Sequence, residues 1–214
     1  MPVGDKQKLI TEIVAKVLNV SAQTNITFPW FINKHSEEYF GHHFQVISKI
    51  FDTLKGDIKA NQNKKNVSLD CDAYFGGDYN FIFEFDEYQH FSSYRLKTLD
   101  CYPNELATAF DIKKYKLLCN VHKVEADKYR KSKTTVDFNF VGGRTAQRAY
   151  LDCFRDLLPS VNGLNPTLRI AEFEVSNVAA NNESSQKIIA ELIKEKLTYK
   201  ALLDEKVKSK GECS

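Results

Sequence analysis

Residues 81–91 read FIFEFDEYQHF. Phe81, Phe83 and Phe85 alternate with Ile82, Glu84 and Asp86, a period of two that suits a strand and not a helix. One face of that strand is wholly aromatic. The other begins with Ile82 and ends in two carboxylates, followed at once by Glu87, Gln89 and His90. Just upstream, VSLDCDAYF leads into Gly76, Gly77 and Asp78. Two alternating runs joined by a Gly-rich turn predict a β-hairpin. With 76–78 as the loop, Asp72 falls opposite Ile82, and positions 72, 82, 84 and 86 share one face.

That placement carries a chemical expectation. Neighbouring strands lie about 4.8 Å apart, so Asp72, Glu84 and Asp86 can converge. Three carboxylates so close repel one another unless a cation neutralises them. Hard oxygen donors favour Mg²⁺, with Mn²⁺ as the alternative. Such an ion polarises a phosphodiester oxygen and supplies hydroxide at neutral pH. His90 is placed to act as general acid or base, and Gln89 or Arg95 to orient water or hold a phosphate. A second set, Asp78, Glu87 and Gln89, is also open.

The rest of the chain predicts a single α/β domain over residues 1–214, with a mixed central sheet flanked by helices. Leu9, Ile10, Ile13, Val14, Val17 and Leu18 form one stripe of a helix over 5–18. Ser36 opens a second helix reaching about Leu54. Residues 54–66 read as a polar loop, and SSYRLKTLDCY as a short helix ending near Pro103. Residues 104–122 hold a helix followed by a strand. EADKYRKSKTTVD reads as a charged connection, Thr145 to Leu158 as a helix, and PTLRIAEFEV as a strand. A long amphipathic helix covers 184–207, with fraying expected in KSKGECS. The sequence divides functionally into a hairpin-and-helix unit at 68–100, a basic subregion at 113–158 and the C-terminal helix at 184–207.

Cysteines at 71, 101, 119, 153 and 213 are odd in number and form no close pair, which argues against a disulfide framework. No apolar run is long enough for a bilayer, and MPVGDKQKLI lacks the apolar core of a signal peptide, so a cytoplasmic location without membrane contact is expected.

Net charge is only +2, but its distribution is uneven. Residues 68–90 hold six acids and no Lys or Arg, whereas 113–155 hold eleven bases against four acids. An acidic island beside a basic tract suits a metal site next to a phosphate-binding surface. Within the tract, Lys128, Arg130, Lys131 and Lys133 lie on what reads as a flexible arm. Gly142 and Gly143 precede a helix whose first turns carry Arg144 and Arg148, an arrangement suited to phosphate. Arg148 and Asp152, four residues apart, could equally form a pair along that helix.

The run of LDCDAYF, Gly-rich turn, FIFEFDEYQHF and Arg95 resembles the PD-(D/E)xK nuclease superfamily. It is most similar to the branch that holds very-short-patch repair endonucleases. The likeness covers residues 68–100 and, more loosely, 164–175, where Arg169 matches the branch's strand arginine. It implies a restriction-endonuclease-like fold and a Mg²⁺-dependent endonuclease of restriction type acting on double-stranded DNA. Asp72, Glu84 and Asp86 would hold metal, with Gln89 and His90 assisting. Arg95, Lys128, Arg130, Lys131, Lys133, Arg144 and Arg148 would contact nucleic acid. Enzymes that cut both strands usually pair, so a homodimer is expected. One departure stands: the lysine two residues after the acid is absent, since Asp86 follows Glu84 and Gln89 follows Glu87. An inactive nucleic-acid- or protein-binding module and an RNA-directed nuclease are the rival readings.

Overall fold

A computed structural model describes residues 4–211, with side chains up to residue 197. The elements are α1 (Asp5–Leu18), α2 (Glu37–Phe40), α3 (Phe44–Thr53), α4 (Ile58–Asn63), β1 (Ala73–Phe75), β2 (Phe81–Asp86), α5 (Ser93–Asp100), α6 (Ile112–Ala126), α7 (Gly143–Val161), β3 (Asn165–Ala171) and α8 (Glu183–Gly211). The three strands form one mixed sheet in the order β1-β2-β3, with β1–β2 antiparallel and β2–β3 parallel.

Central β2 is buried along its whole length, and the alternation of its sequence sorts its neighbours. Phe81, Phe83 and Phe85 join Ile10, Ile13, Val14, Leu168, Ile170 and Ile189 in the core under α1 and α8. Ile82 faces the larger core, where Phe40, Phe51, Tyr150 and Phe154 gather from α2, α3 and α7 with Phe138 from the turn before α7. Glu84 and Asp86 therefore point toward α7, between the sheet and its helical cover. Burial of aromatic side chains contributes roughly 1.5–3 kcal/mol apiece before entropy is counted. The two apolar cores, not the polar layer between them, thus supply most of the driving force.

Several expected boundaries move, each for a local reason. The expected 36–54 helix breaks at Gly41, whose φ of 51° ends α2, and a 3-10 turn over Gly41–His43 re-aims the chain into α3. The 54–66 loop contains α4, because the Asp57 side chain accepts the Ala60 N–H at 3.0 Å and caps it. No strand follows the helix after residue 103; α6, capped by Asp111, runs on to Ala126, and Ala109 makes only an isolated bridge to Leu168. The strand expected over 166–175 stops at Ala171, where Glu172–Val175 tighten into a 3-10 turn. The hairpin loop is longer than 76–78: pairing of Phe75 with Phe81 leaves 76–80 as the connection and sets Asp72 against Glu84 rather than Ile82. A shift of two preserves the face. The fraying expected in the tail includes residues 212–214, which lie outside the described residues. Among the described residues, no helix is long and apolar enough to cross a membrane.

The charged connection is not a free arm. Lys123 to Ala126 belong to α6, and the turns that follow are tied to the start of α7: Gly142 N–H donates to the Lys131 carbonyl at 2.8 Å and Arg144 N–H to that of Lys133 at 3.1 Å.

Candidate functional site

A cleft of about 250 Å³ opens where β1, β2, the turn after β2 and α7 meet. Asp72, Glu84, Glu87, Gln89 and His90 line one part of it; Arg144, Arg148, Asp152 and Arg155 line the other, with Gln7 of α1 at the edge. The structure thus gathers most of the acids and arginines singled out above.

Asp72 sits just before β1 and accepts the backbone N–H of Phe85 at 2.7 Å, which fixes its carboxyl across the hairpin. Burial raises its pKa to about 6, against the opposing effect of that hydrogen bond and of Arg155. Glu84 is deeper. Burial, outweighing the attraction of Arg155, pushes its pKa up to about 8. Arg155 Nε lies 2.8 Å from Glu84 Oε1, but the two buried atoms do not align into a hydrogen bond, and among the described residues neither finds another partner. The rest of the Arg155 guanidinium is engaged elsewhere, donating to the carbonyls of Asp70 at 2.6 Å and Leu151 at 3.2 Å.

The expected triad of acids is corrected at Asp86. Its oxygens take Arg169 Nη1 at 2.7 Å and the Tyr115 hydroxyl at 3.1 Å, so it anchors the polar layer instead of facing the cleft. Arg95 is corrected likewise: only 2 % exposed, it donates to Asp156 at 2.6 Å and Tyr102 at 2.9 Å and reaches no surface phosphate. The set Asp78, Glu87 and Gln89 does not assemble. Asp78 sits exposed in the hairpin connection before β2, whereas Glu87 follows the strand's far end and accepts the Gln89 amide at 2.7 Å. At roughly 3.3 Å per residue, the six residues of β2 separate them widely. The pairing of Arg148 with Asp152 does not occur. Asp152 instead takes His90 Nδ1 at 3.0 Å, with Asp86 3.5 Å from the same nitrogen, and Arg148 donates to the Gln89 carbonyl at 3.4 Å. Lys128, Arg130, Lys131 and Lys133 are exposed on the turns beside α7.

Three polar cleft residues were missed by sequence reasoning as site residues: Gln7, Asp152 and Arg155. For the last two a signal existed, since 144, 148, 152 and 155 follow one face of α7. Gln7 had none, because its place depends on how α1 packs over the sheet.

Among the described residues, no group of three His, Cys, Asp or Glu side chains is arranged to hold a metal ion. Two carboxylates nevertheless suit Mg²⁺, which keeps several waters and needs only one or two protein acids. Glu84 Oε1 is buried without an aligned partner, and both Asp72 and Glu84 are driven toward protonation by burial. A cation beside them would reverse that. Asp72 and Glu84 therefore fit such an ion; Asp86 does not.

Residues 49–191, more than half of the 214-residue chain, match a family described as of unknown function, DUF7255. The chain belongs to that family. Neither a curated protein nor a solved structure matches it. The DUF7255 match begins within α3 and ends within α8, so it takes in the whole sheet and every cleft residue except Gln7.

The buried state of Glu84 has a measurable consequence. Its native pKa of about 8 exceeds the ordinary 4.5, so between those values the native state binds more protons than the unfolded chain. Stability contributed through this group then falls as pH rises. In metal-free protein, Glu84→Gln should melt increasingly higher than wild type from about pH 5 upward, the gap levelling above about pH 8. A gap that does not change with pH would mean Glu84 is ionised throughout.

Proposed function

We propose that the cleft is the active site of a Mg²⁺-dependent endonuclease that hydrolyses DNA phosphodiester bonds. The observation that carries this reading is the meeting, in one cleft, of half-buried Asp72, just before β1, and buried Glu84, on β2, with Arg144, Arg148 and Arg155 from α7. Carboxylates alone would repel a phosphodiester, and arginines alone would bind it without activating water; together they suit both tasks.

Asp72 and Glu84 would hold the ion, which when bound would supply Lewis-acid activation of water and phosphate. Arg144 and Arg148 would hold the phosphate chain against α7. His90, fixed at Nδ1 by Asp152, presents its other nitrogen for proton transfer to or from the reacting oxygens. Arg155 places a positive charge beside Glu84, from a different element than the lysine that the PD-(D/E)xK resemblance leads one to expect. The test is incubation with plasmid and with matched RNA, with and without Mg²⁺ or Mn²⁺. Cleavage of DNA should require metal. Glu84→Gln should lose it by at least about a hundredfold while keeping DNA binding.

A second reading has its own observation. Arg155 lies against Glu84 and Arg169 against Asp86, as in a site whose cation has been replaced by protein charges. That describes a non-catalytic nucleic-acid-binding module. DNA binding without cleavage under any metal would favour it.

A further inference from the structure

The chain's six arginines divide into two groups. Arg95, Arg155 and Arg169 each stand in an ion pair with a carboxylate. Among the described residues, Arg130, Arg144 and Arg148 make no contact of that kind, and they gather in one place. The guanidinium carbons of Arg130 and Arg148 lie 5.3 and 5.2 Å from the ring centre of Tyr129. Tyr88 meets that ring edge-on at 6.1 Å. Arg144 stands close enough that the like charges of Arg148 and Arg130 add to burial in lowering its pKa.

The assembly is held from behind. Arg130 has a left-handed φ of 51°, and the turn carrying it is bonded through Lys131 and Lys133 to the first residues of α7. Arg144 donates to Gln147 at 2.6 Å and Arg148 to the Gln89 carbonyl at 3.4 Å. A guanidinium has five N–H donors, so among the described residues most on each are left without a protein acceptor. Cation–π contact with Tyr129 keeps Arg130 and Arg148 apart at a fixed spacing.

We propose that Arg130, Arg144 and Arg148, spaced by Tyr129, form a binding site for a phosphomonoester: the terminal phosphate of a nucleic-acid strand. Charge selects this group. A backbone diester carries one negative charge, whereas a monoester carries about −1.5 to −2 at neutral pH and offers three acceptor oxygens. Three unpaired guanidiniums are better balanced by the latter, and their planar forks suit it bidentately. Arg144 and Arg148 also line the cleft with Asp72 and Glu84, so a strand end held here would place a nearby linkage at the acids. This last step rests on the nuclease reading; the phosphate site itself does not.

The test is titration calorimetry without metal, so that cleavage plays no part. The probes are one oligonucleotide bearing a 5′-phosphate, a 3′-phosphate or hydroxyl ends, and inorganic phosphate. One phosphorylated form should bind about tenfold or more tighter than the hydroxyl-ended strand, the size expected for a charged hydrogen-bond set. Exposed Arg130 can be truncated without touching the core, and Arg130→Ala should abolish that preference, as should Arg148→Ala. Tyr129→Phe should retain it, because the ring face remains. Equal affinity for phosphate and hydroxyl ends overturns the proposal, as does a preference that survives both arginine variants. Inorganic phosphate binding as tightly as the phosphorylated strand would overturn the strand-end assignment. An end preference without metal-dependent cleavage would leave this site standing and remove the nuclease reading.

Discussion

Asp156→Ala should lower the unfolding free energy by about 3–5 kcal/mol, the range for stranding buried charge, as read from urea unfolding at neutral pH. Asp156 sits on α7 and is the hub of the polar layer between the two cores. Its Oδ2 accepts Arg95 Nη2 and the Tyr102 hydroxyl, each at 2.6 Å, and its Oδ1 accepts Arg169 Nε at 2.6 Å. Burial alone would raise its pKa, but Arg169, Arg95 and the hydroxyl together hold it below the ordinary carboxylate range. Arg169 is fully buried, and Arg95 nearly so. Removing the carboxylate leaves Tyr102 without its acceptor and both guanidiniums without this partner. Arg169 keeps Asp86, so Arg95 bears most of the loss. Asp156→Asn keeps volume and one acceptor, and should fall between the two. A loss below about 1 kcal/mol for the alanine variant would show that water or Asp152 takes over, and that the layer does not depend on this residue.

This polar layer marks the limit of what the sequence discloses. Period-two alternation in 81–86 is readable because a strand's side chains must alternate, whatever packs on them. The stripe at Leu9 to Leu18 is readable for the same reason on a helix. Thus the hairpin, α1, α5 and α7 are legible locally. The fate of Glu84 and Asp86 is not, because both lie on the same face two residues apart. What separates them is β3: Arg169, the parallel partner of Glu84, reaches Asp86, while Arg155 arrives beside Glu84 from α7. Those are contacts over roughly seventy to eighty residues of chain, and no spacing rule encodes them. His90 shows the same limit. Its proximity to the acids is local, but its partner Asp152 comes from the far side of the basic tract. The basic tract was legible as charge and illegible as geometry, since its arginines split between core pairs and an unpaired cluster.

The last expectation concerns Gly143 and joins stability to the cleft. In the sequence, Gly142 and Gly143 precede a helix whose first turns suit phosphate. The structure gives each glycine a steric reason. Gly142 has a φ of 89°, in the left-handed region, and a Cβ there would also meet the Tyr94 hydroxyl at 2.9 Å. Gly143 is more constrained in space: a Cβ would collide with the Phe138 carbonyl oxygen and stand 2.8 Å from its carbon. That obstacle is backbone, and it cannot turn aside as a side-chain tip can. Phe138 is fully buried, with its ring packed against Phe51 and Tyr150 at 5.3 and 5.8 Å, so the turn cannot retreat either. Gly143→Ala should therefore cost about 3 kcal/mol or more, at the upper end of overpacking. Gly77→Ala, whose Cβ would meet nothing within 4 Å, should cost only the 1–2 kcal/mol or so of left-handed strain. Relief at Gly143 must come from the start of α7, because Phe138 is fixed. Arg144 and Arg148 would then move relative to Arg130, and the variant should lose its preference for phosphate-ended strands at temperatures where it remains folded. If Gly143→Ala melts like wild type, the turn yields and the glycine is there for another reason. If it melts lower but keeps the end preference, α7 is held by its C-terminal half and the arginine cluster does not depend on this close approach.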